Sequence, residues 1–353
     1  MAAGFKTATV RSGDVPATQT NFPSYVDLDR LGITTLAEAQ SVRVYADSAK
    51  TTEWAREIVS LTEMHVKVPS LTSTVEIFVD WDGVRADYAV GATYGRNNVW
   101  SDYVSVHHLQ EDPSGTAPQN TDSTGNGYDT TSQGSMTTAD LVTSQIEKGI
   151  QTDGIDDILL KTSYASVGIT SVTAQIWAKP DTTSVGGAFF KIGDSYGESG
   201  TNSNGYTLGV GSSNFDTNGN DLVGLFENRR WIITNSEMGT GWSLLHLVLN
   251  ASSKPTIYKN ATSVFSDTGV NPNTPSTYLH IGGYDAGGSY ERIPKATVDE
   301  MRVRQSILSA NWITTEYNNQ NAESTFWGAW TDAGGGGGGG AAQTARRGAV
   351  MMM

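Results

Sequence analysis

Residues 297–303 read TVDEMRV and lead through Ser309, Ala310 and Asn311 into WITTEYNNQN, residues 312–321, and then STFW, residues 324–327. The alternation in the first piece predicts a β-strand. Ser309 is placed to cap a short helix on which Trp312, Ile313 and Tyr317 fall on one face. This is the pattern of a closing strand followed by a packing helix.

Working outward, the upstream chain repeats the strand signal many times. Between residues 5 and 83 it alternates in bursts: KTATV (6–10), SYVDLD (24–29), SVRVYAD (41–47), MHVKVPSL (64–71) and TVEIFVDW (74–81). Period-two alternation builds half-buried antiparallel strands, and Pro23, Gly32, Pro69 and Gly83 supply the breaks. After a connector at 84–98 come NVWSDYVSVHHLQED, the turn-rich loop Asp122–Gly127, and a succession of strands through TYLHIGGY (277–284). The expected fold is all-β. It comprises a small β-sandwich with its connector (1–98), a second and larger sandwich (99–330), and a flexible tail (331–353) whose seven consecutive glycines, Gly334 to Gly340, cannot bury anything.

Composition narrows the functions. The 23 basic and 37 acidic residues give a net charge of −14 without a Lys/Arg patch, which argues against binding a phosphate backbone. There is no cysteine, so an oxygen-ligated metal is the only metal staple this reading leaves open. No apolar run approaches the ~20 residues of a membrane span. Lys6, Arg11 and Asp14 interrupt the N-terminal stretch, which therefore lacks the apolar centre of a secretory signal if Met1 is the true start.

The end of the chain resembles laminin-G-like, concanavalin A-like jelly rolls of bacterial and phage surface proteins. In these an Asp-Glu-x-Arg strand precedes a Ser-x-x-Trp-Ile helix, matched by Asp299, Glu300, Arg302, Ser309, Trp312 and Ile313. The Asp122-Ser123-Thr124-Gly125-Asn126 loop, the Trp177-Ala178-Lys179-Pro180 strand end, Gly241-Trp242 and the Tyr258-Lys259-Asn260 hairpin match in the same order. The first segment resembles a domain of unknown function that often stands before such jelly rolls, through Asn21-Phe22-Pro23 ahead of SYVDL, then VRVYADS, Glu57 and Val66 to Leu71. The resemblance implies a jelly-roll binding module. It also implies a structural calcium ion joining an early loop to the closing strand, with Asp153, Asp156, Asp157 and Asp299 as ligands.

Catalysis is not expected. A retaining glycosidase needs two carboxylates ~5–5.5 Å apart, set at alternate positions if they share a strand, whereas Asp299-Glu300 and Asp156-Asp157 are adjacent. His107 and His108 are likewise adjacent and read as one core and one surface histidine, wrong for a shared metal. Outside the glycine run no phosphate-binding glycine pattern occurs. For carbohydrate binding, the loop aromatics Tyr196, Trp231, Tyr284 and Tyr290 beside Asn228, Asp285 and Arg292 are the candidates, while Trp100, Trp177, Trp242 and Trp312 read as core.

The expectation is a non-enzymatic phage virion protein, a head decoration, fibre or tail adhesin assembled in the host cytoplasm. Its partners would be capsid or tail proteins and host-surface glycans, not nucleic acid or a membrane interior. The alternatives are a bacterial surface or secreted adhesin and, behind it, a glycan hydrolase. With no heptad stretch to impose a trimer, homo-oligomer formation is left open.

Overall fold

The computed structural model describes residues 3–164, 167–193, 205–226, 230–269, 272, 277–285 and 290–334. The fold is all-β: a small sandwich followed by a jelly roll. Among the described residues no helix is long and apolar enough to cross a membrane.

The jelly roll comprises two facing antiparallel sheets. One runs in the order Leu141–Thr143, Lys148–Asp153, Lys295–Arg304, Val172–Pro180, Ser243–Leu249, Pro255–Lys259, Thr262–Ser266, with Ser105–His107 also paired to Lys295–Arg304. The other runs Arg230–Glu237, Asp221–Phe226, Gly205–Gly211, Gly187–Gly193, Leu279–Ile281, Ile158–Lys161, Thr131–Gln133. The alternation of VTAQIWAKP shows why these strands pack as they do. Val172, Ala174, Ile176 and Ala178 join the core between the sheets, where Phe190, Leu208, Leu245 and Val298 meet them. The intervening Gln175 and Trp177 point to the opposite side and are buried too, because that side is covered as well.

The cover is the helix Ala310–Asn321. Ser309 Oγ accepts the Trp312 amide at 3.1 Å, as an N-cap does. Trp177 Nε1 donates to Gln320 Oε1 at 2.6 Å on the jelly-roll side. On its other side the helix meets the first sandwich: Trp312 packs at a tilt against Phe22 with ring centroids 5.1 Å apart, and Asn319 bonds both the amide and the carbonyl of Tyr25.

The first sandwich has a three-stranded sheet (Gln19–Asp27, Glu63–Leu71, Arg56–Ile58) and a five-stranded one (Thr331–Asp332, Gly4–Thr9, Glu76–Trp81, Arg43–Tyr45, Glu53–Trp54). Its core combines Val26, Val44, Val66 and Val79 with Leu308, Ile313, Phe326 and Trp327. Residues 308–327, assigned from the sequence to the second domain, thus fill the core of the first. Thr331–Asp332, read as the start of the tail, is an edge strand with Lys6 opposite Asp332 and Thr7 opposite Thr331. A two-residue strand has no periodicity to read, and the change in composition falls only at the glycines. Residues 335–353, which hold the expected flexible tail, lie outside the described residues.

Candidate functional site

The strand Glu63–Leu71 has one face in the core of the first sandwich and the other against the jelly roll. Glu63 and His65, two residues apart, both point into that seam. From the jelly roll come Glu300 and Arg302 on the closing strand and His108 just beyond Ser105–His107; Glu316 comes from the helix and Glu57 from the strand beside Glu63–Leu71. All seven are buried.

His65 Nε2 lies 2.7 Å from Glu63 Oε1. His108 Nδ1 lies 2.5 Å from Glu300 Oε1 and 3.4 Å from Glu63 Oε1, and its Nε2 lies 3.1 Å from Glu57 Oε2. Arg302 holds Glu300 through Nε at 2.8 Å and reaches Glu316 at 3.2 Å. Burial alone would lift the Glu300 carboxyl, but Arg302 and then His108 overrule it and hold it well below the usual carboxylate range. Burial likewise works against charge on His108, yet Glu300 and Glu57 raise its pKa well above the ordinary histidine value. Glu63 is pushed up by burial and then by the Glu300 charge. Glu57 and His108 also border a cavity of about 220 Å³, together with Arg56, Tyr88, Glu111 and Ser123.

A second, larger concavity lies at the edge of the seven-stranded sheet. This groove of about 480 Å³ is lined by Pro118, Asp129, Thr131, Gln133, Lys161 and Thr162. Tyr290 adjoins it, donating its hydroxyl to Gln133 Oε1 at 2.8 Å. Donors, acceptors and one charge of each sign line this open groove.

The residues expected from the sequence to bind a sugar are only partly gathered. Tyr290 is half-buried at the groove. Trp231 is also half-buried and packs edge-on against Phe215 at 4.8 Å. Tyr284 joins the same small cluster but is fully buried, so its ring is no platform; the sheet's outer face is covered there by the loop carrying Phe215. Arg292 is ion-paired to Asp216. Tyr196 and Asn228 lie outside the described residues, as does the side chain of Asp285.

Of the expected metal ligands, Asp153, Asp156 and Asp157 converge to within 4.8 Å. Asp157 Oδ1 is buried without a partner among the described residues. Its carboxyl is pushed up to about 6, by burial first and then by Asp153. These oxygens fit a hard cation. Asp299 does not join them. Its Oδ2 accepts from Ser144 Oγ at 2.7 Å and from the Ile146 amide at 2.9 Å, tying down a neighbouring hairpin instead.

No family model matches the chain, and no curated protein does. Among solved structures it is similar to the binding domain of Paraclostridial mosquitocidal protein 1, at 12% identity and TM-score 0.44, covering 62% of this chain and 52% of that one. It is also similar to botulinum neurotoxin type C, whose cell entry depends on interaction with two ganglioside molecules, at 14% identity and TM-score 0.44 over 63% and 52% of the two chains. A third is the ligand-binding domain of botulinum neurotoxin serotype D in complex with N-acetylneuraminic acid, at 14% identity and TM-score 0.43 over 62% and 51%. The chain spans about half the length of these structures.

The seam cluster is what sequence reasoning missed. His108 was expected to share the two faces of a strand with His107, one in the core and one at the surface, but both are buried, since the first sandwich covers the outer face. The available signal was charge at period two inside apolar strands: Glu63 with His65, and Glu300 with Arg302.

Proposed function

We propose that this protein is a non-enzymatic component of a bacteriophage particle whose jelly roll binds a host-surface glycan in the groove beside Tyr290. The observation that carries the reading is the groove itself. Its volume of about 480 Å³ falls in the range of small-ligand sites, and Asp129, Thr131, Gln133, Lys161 and Thr162 offer the mixed donors and acceptors that sugar hydroxyls require.

The acid and base groups elsewhere support a binding role over hydrolysis: Glu63, His108 and Glu300 are engaged with one another inside the protein. Membership of a particle, with capsid or tail proteins as partners, is proposed from the resemblance of residues 21–71 and 297–313 to segments of bacterial and phage surface proteins. A calcium ion is proposed at Asp153, Asp156 and Asp157, where it would relieve the crowding of three carboxylates and use the orphaned Asp157 oxygen.

Glycan-array binding by the full chain, beside Asp129→Asn and Lys161→Ala, tests the ligand. We expect a selective hit that each variant weakens about tenfold or more, about 1.4 kcal/mol. Binding indifferent to both variants, or none at all, would remove the groove from consideration. Mass spectrometry of purified particles and host surface fractions tests the location, and recovery from the cell surface alone would make the protein a bacterial adhesin.

A further inference from the structure

We propose that Glu63, His65, His108 and Glu300 are the ligands of a divalent transition-metal ion, of the zinc class, that joins the first sandwich to the jelly roll. One ligand atom from each residue falls in a group whose members all lie within 4.8 Å of one another, and all four residues are buried.

Three observations support the assignment. The first is spacing. Around a tetrahedral zinc with bonds of ~2.0–2.2 Å, neighbouring ligand atoms stand roughly 3.4 Å apart. The distances here run from shorter than that up to it: 2.5 Å from His108 Nδ1 to Glu300 Oε1, 2.7 Å from His65 Nε2 to Glu63 Oε1, and 3.4 Å from His108 Nδ1 to Glu63 Oε1. Modest outward shifts of side chains admit an ion at the centre.

The second is charge. In the cluster the four carboxylates of Glu57, Glu63, Glu300 and Glu316 face one guanidinium, Arg302, and one imidazole bonded to carboxylates through both nitrogens, His108. Arg302 and a doubly protonated His108 offset two of the four, and the remaining two carboxylates face only imidazoles, His65 beside Glu63 and His246 beside Glu316, in a buried setting where uncompensated charge is strongly disfavoured. A divalent cation neutralises them without requiring a protonated carboxyl.

The third is the support behind three of the four ligands, His108, Glu300 and Glu63. A metal-bound histidine ordinarily donates its other ring N–H to a carboxylate, and Glu57 Oε2 stands 3.1 Å from His108 Nε2. Glu57 is itself fixed by Ser123 Oγ at 2.7 Å and by Trp100 Nε1. The second oxygen of Glu300 is held by Arg302 and that of Glu63 by Gln110. Access is provided too, because Glu57 and His108 form part of the wall of the 220 Å³ cavity at the seam. Two imidazoles and two carboxylates suit zinc better than calcium or magnesium, which take oxygen ligands. This site is therefore chemically distinct from the Asp153, Asp156, Asp157 group.

The test uses the full chain stripped with EDTA, loaded with Zn²⁺, dialysed, and analysed for metal by plasma mass spectrometry beside His65→Asn and Asp157→Asn. We expect one equivalent of zinc in the parent and in Asp157→Asn, and at least tenfold weaker binding in His65→Asn. At a hundredfold excess of Zn²⁺ over the dissociation constant, the parent should melt about 3–5 °C higher than in EDTA. If His65→Asn does not fold, X-ray absorption of the zinc-loaded parent decides: imidazole scattering supports the site, and an all-oxygen shell overturns it. No retained zinc and no melting shift, or zinc lost from Asp157→Asn but kept by His65→Asn, also overturns it.

Discussion

His108 Nδ1 stands 2.5 Å from Glu300 Oε1, joining two residues 192 positions apart in the chain. The contact links the end of the first jelly-roll strand to the last one, at the depth where the first sandwich closes over both.

Glu300→Gln should therefore be costly. The change leaves Arg302 buried with Glu316 as its remaining carboxylate and takes from His108 the nearest of its carboxylates. Removing one partner of a buried ion pair typically costs about 3–5 kcal/mol. Denaturant unfolding of the parent and the variant measures this, and a loss below about 1 kcal/mol would show the cluster to be energetically slack.

Stability should also depend on pH through Glu323. Burial pushes its carboxyl up to about 7, even though Arg30 sits 2.7 Å away and pulls in the other direction. The folded state thus holds this proton more tightly than the unfolded chain, whose carboxyl titrates near the ordinary glutamate value. Below that ordinary value both states are protonated and there is no penalty. As pH rises to about 7 the folded state is progressively penalised, by up to about 3 kcal/mol. Glu323→Gln should flatten this part of the stability profile, so the difference between parent and variant should change across that window and level off above it.

The clasp formed by residues 308–333 should be indispensable to the first sandwich. Trp327 is fully buried and its Nε1 donates to Ser24 Oγ and the Tyr25 carbonyl, each at 3.1 Å. Trp327→Ala should cost about 3–5 kcal/mol in thermal or denaturant unfolding. A chain cut after residue 307 should lose native-like amide protection in the strands 19–27 and 63–71 by hydrogen exchange; retained protection there would show the clasp to be dispensable.

Ser309→Ala should have a much smaller effect. It removes one N-cap bond, to the Trp312 amide, from a helix held on both sides by packing, so a loss of about 1 kcal/mol is expected.

How far the sequence was legible depended on the range of each interaction. Alternation in VTAQIWAKP and TVDEMRV placed strands that the structure contains, and Ser309 marked the start of the helix, because those signals are local. Trp312 was read as a packing residue, but its partner Phe22 lies at the other end of the chain, and no periodicity could pair them. The adjacent acids Asp299 and Glu300 do engage different partners, Ser144 and His108, but across a bulge where Glu300 has φ of 53° rather than by regular alternation. What escaped was that the side carrying Glu300 is an interior one. A strand's sequence shows that its two faces differ, but not that a second domain covers the polar one.

The pairing of Thr331–Asp332 with Gly4–Thr9 has a bearing on the order of events at the ribosome. The first sandwich lacks one edge strand and much of its core until residues 308–333 have emerged, which is after the jelly roll has been made. At ~5–20 residues per second the stretch between Trp81 and Leu308 takes roughly ten to fifty seconds to synthesise. The jelly roll's own closing strand, Lys295–Arg304, is made only just before residue 308, so the N-terminal strands wait unfinished over that interval and both domains are completed together by the last part of the described chain.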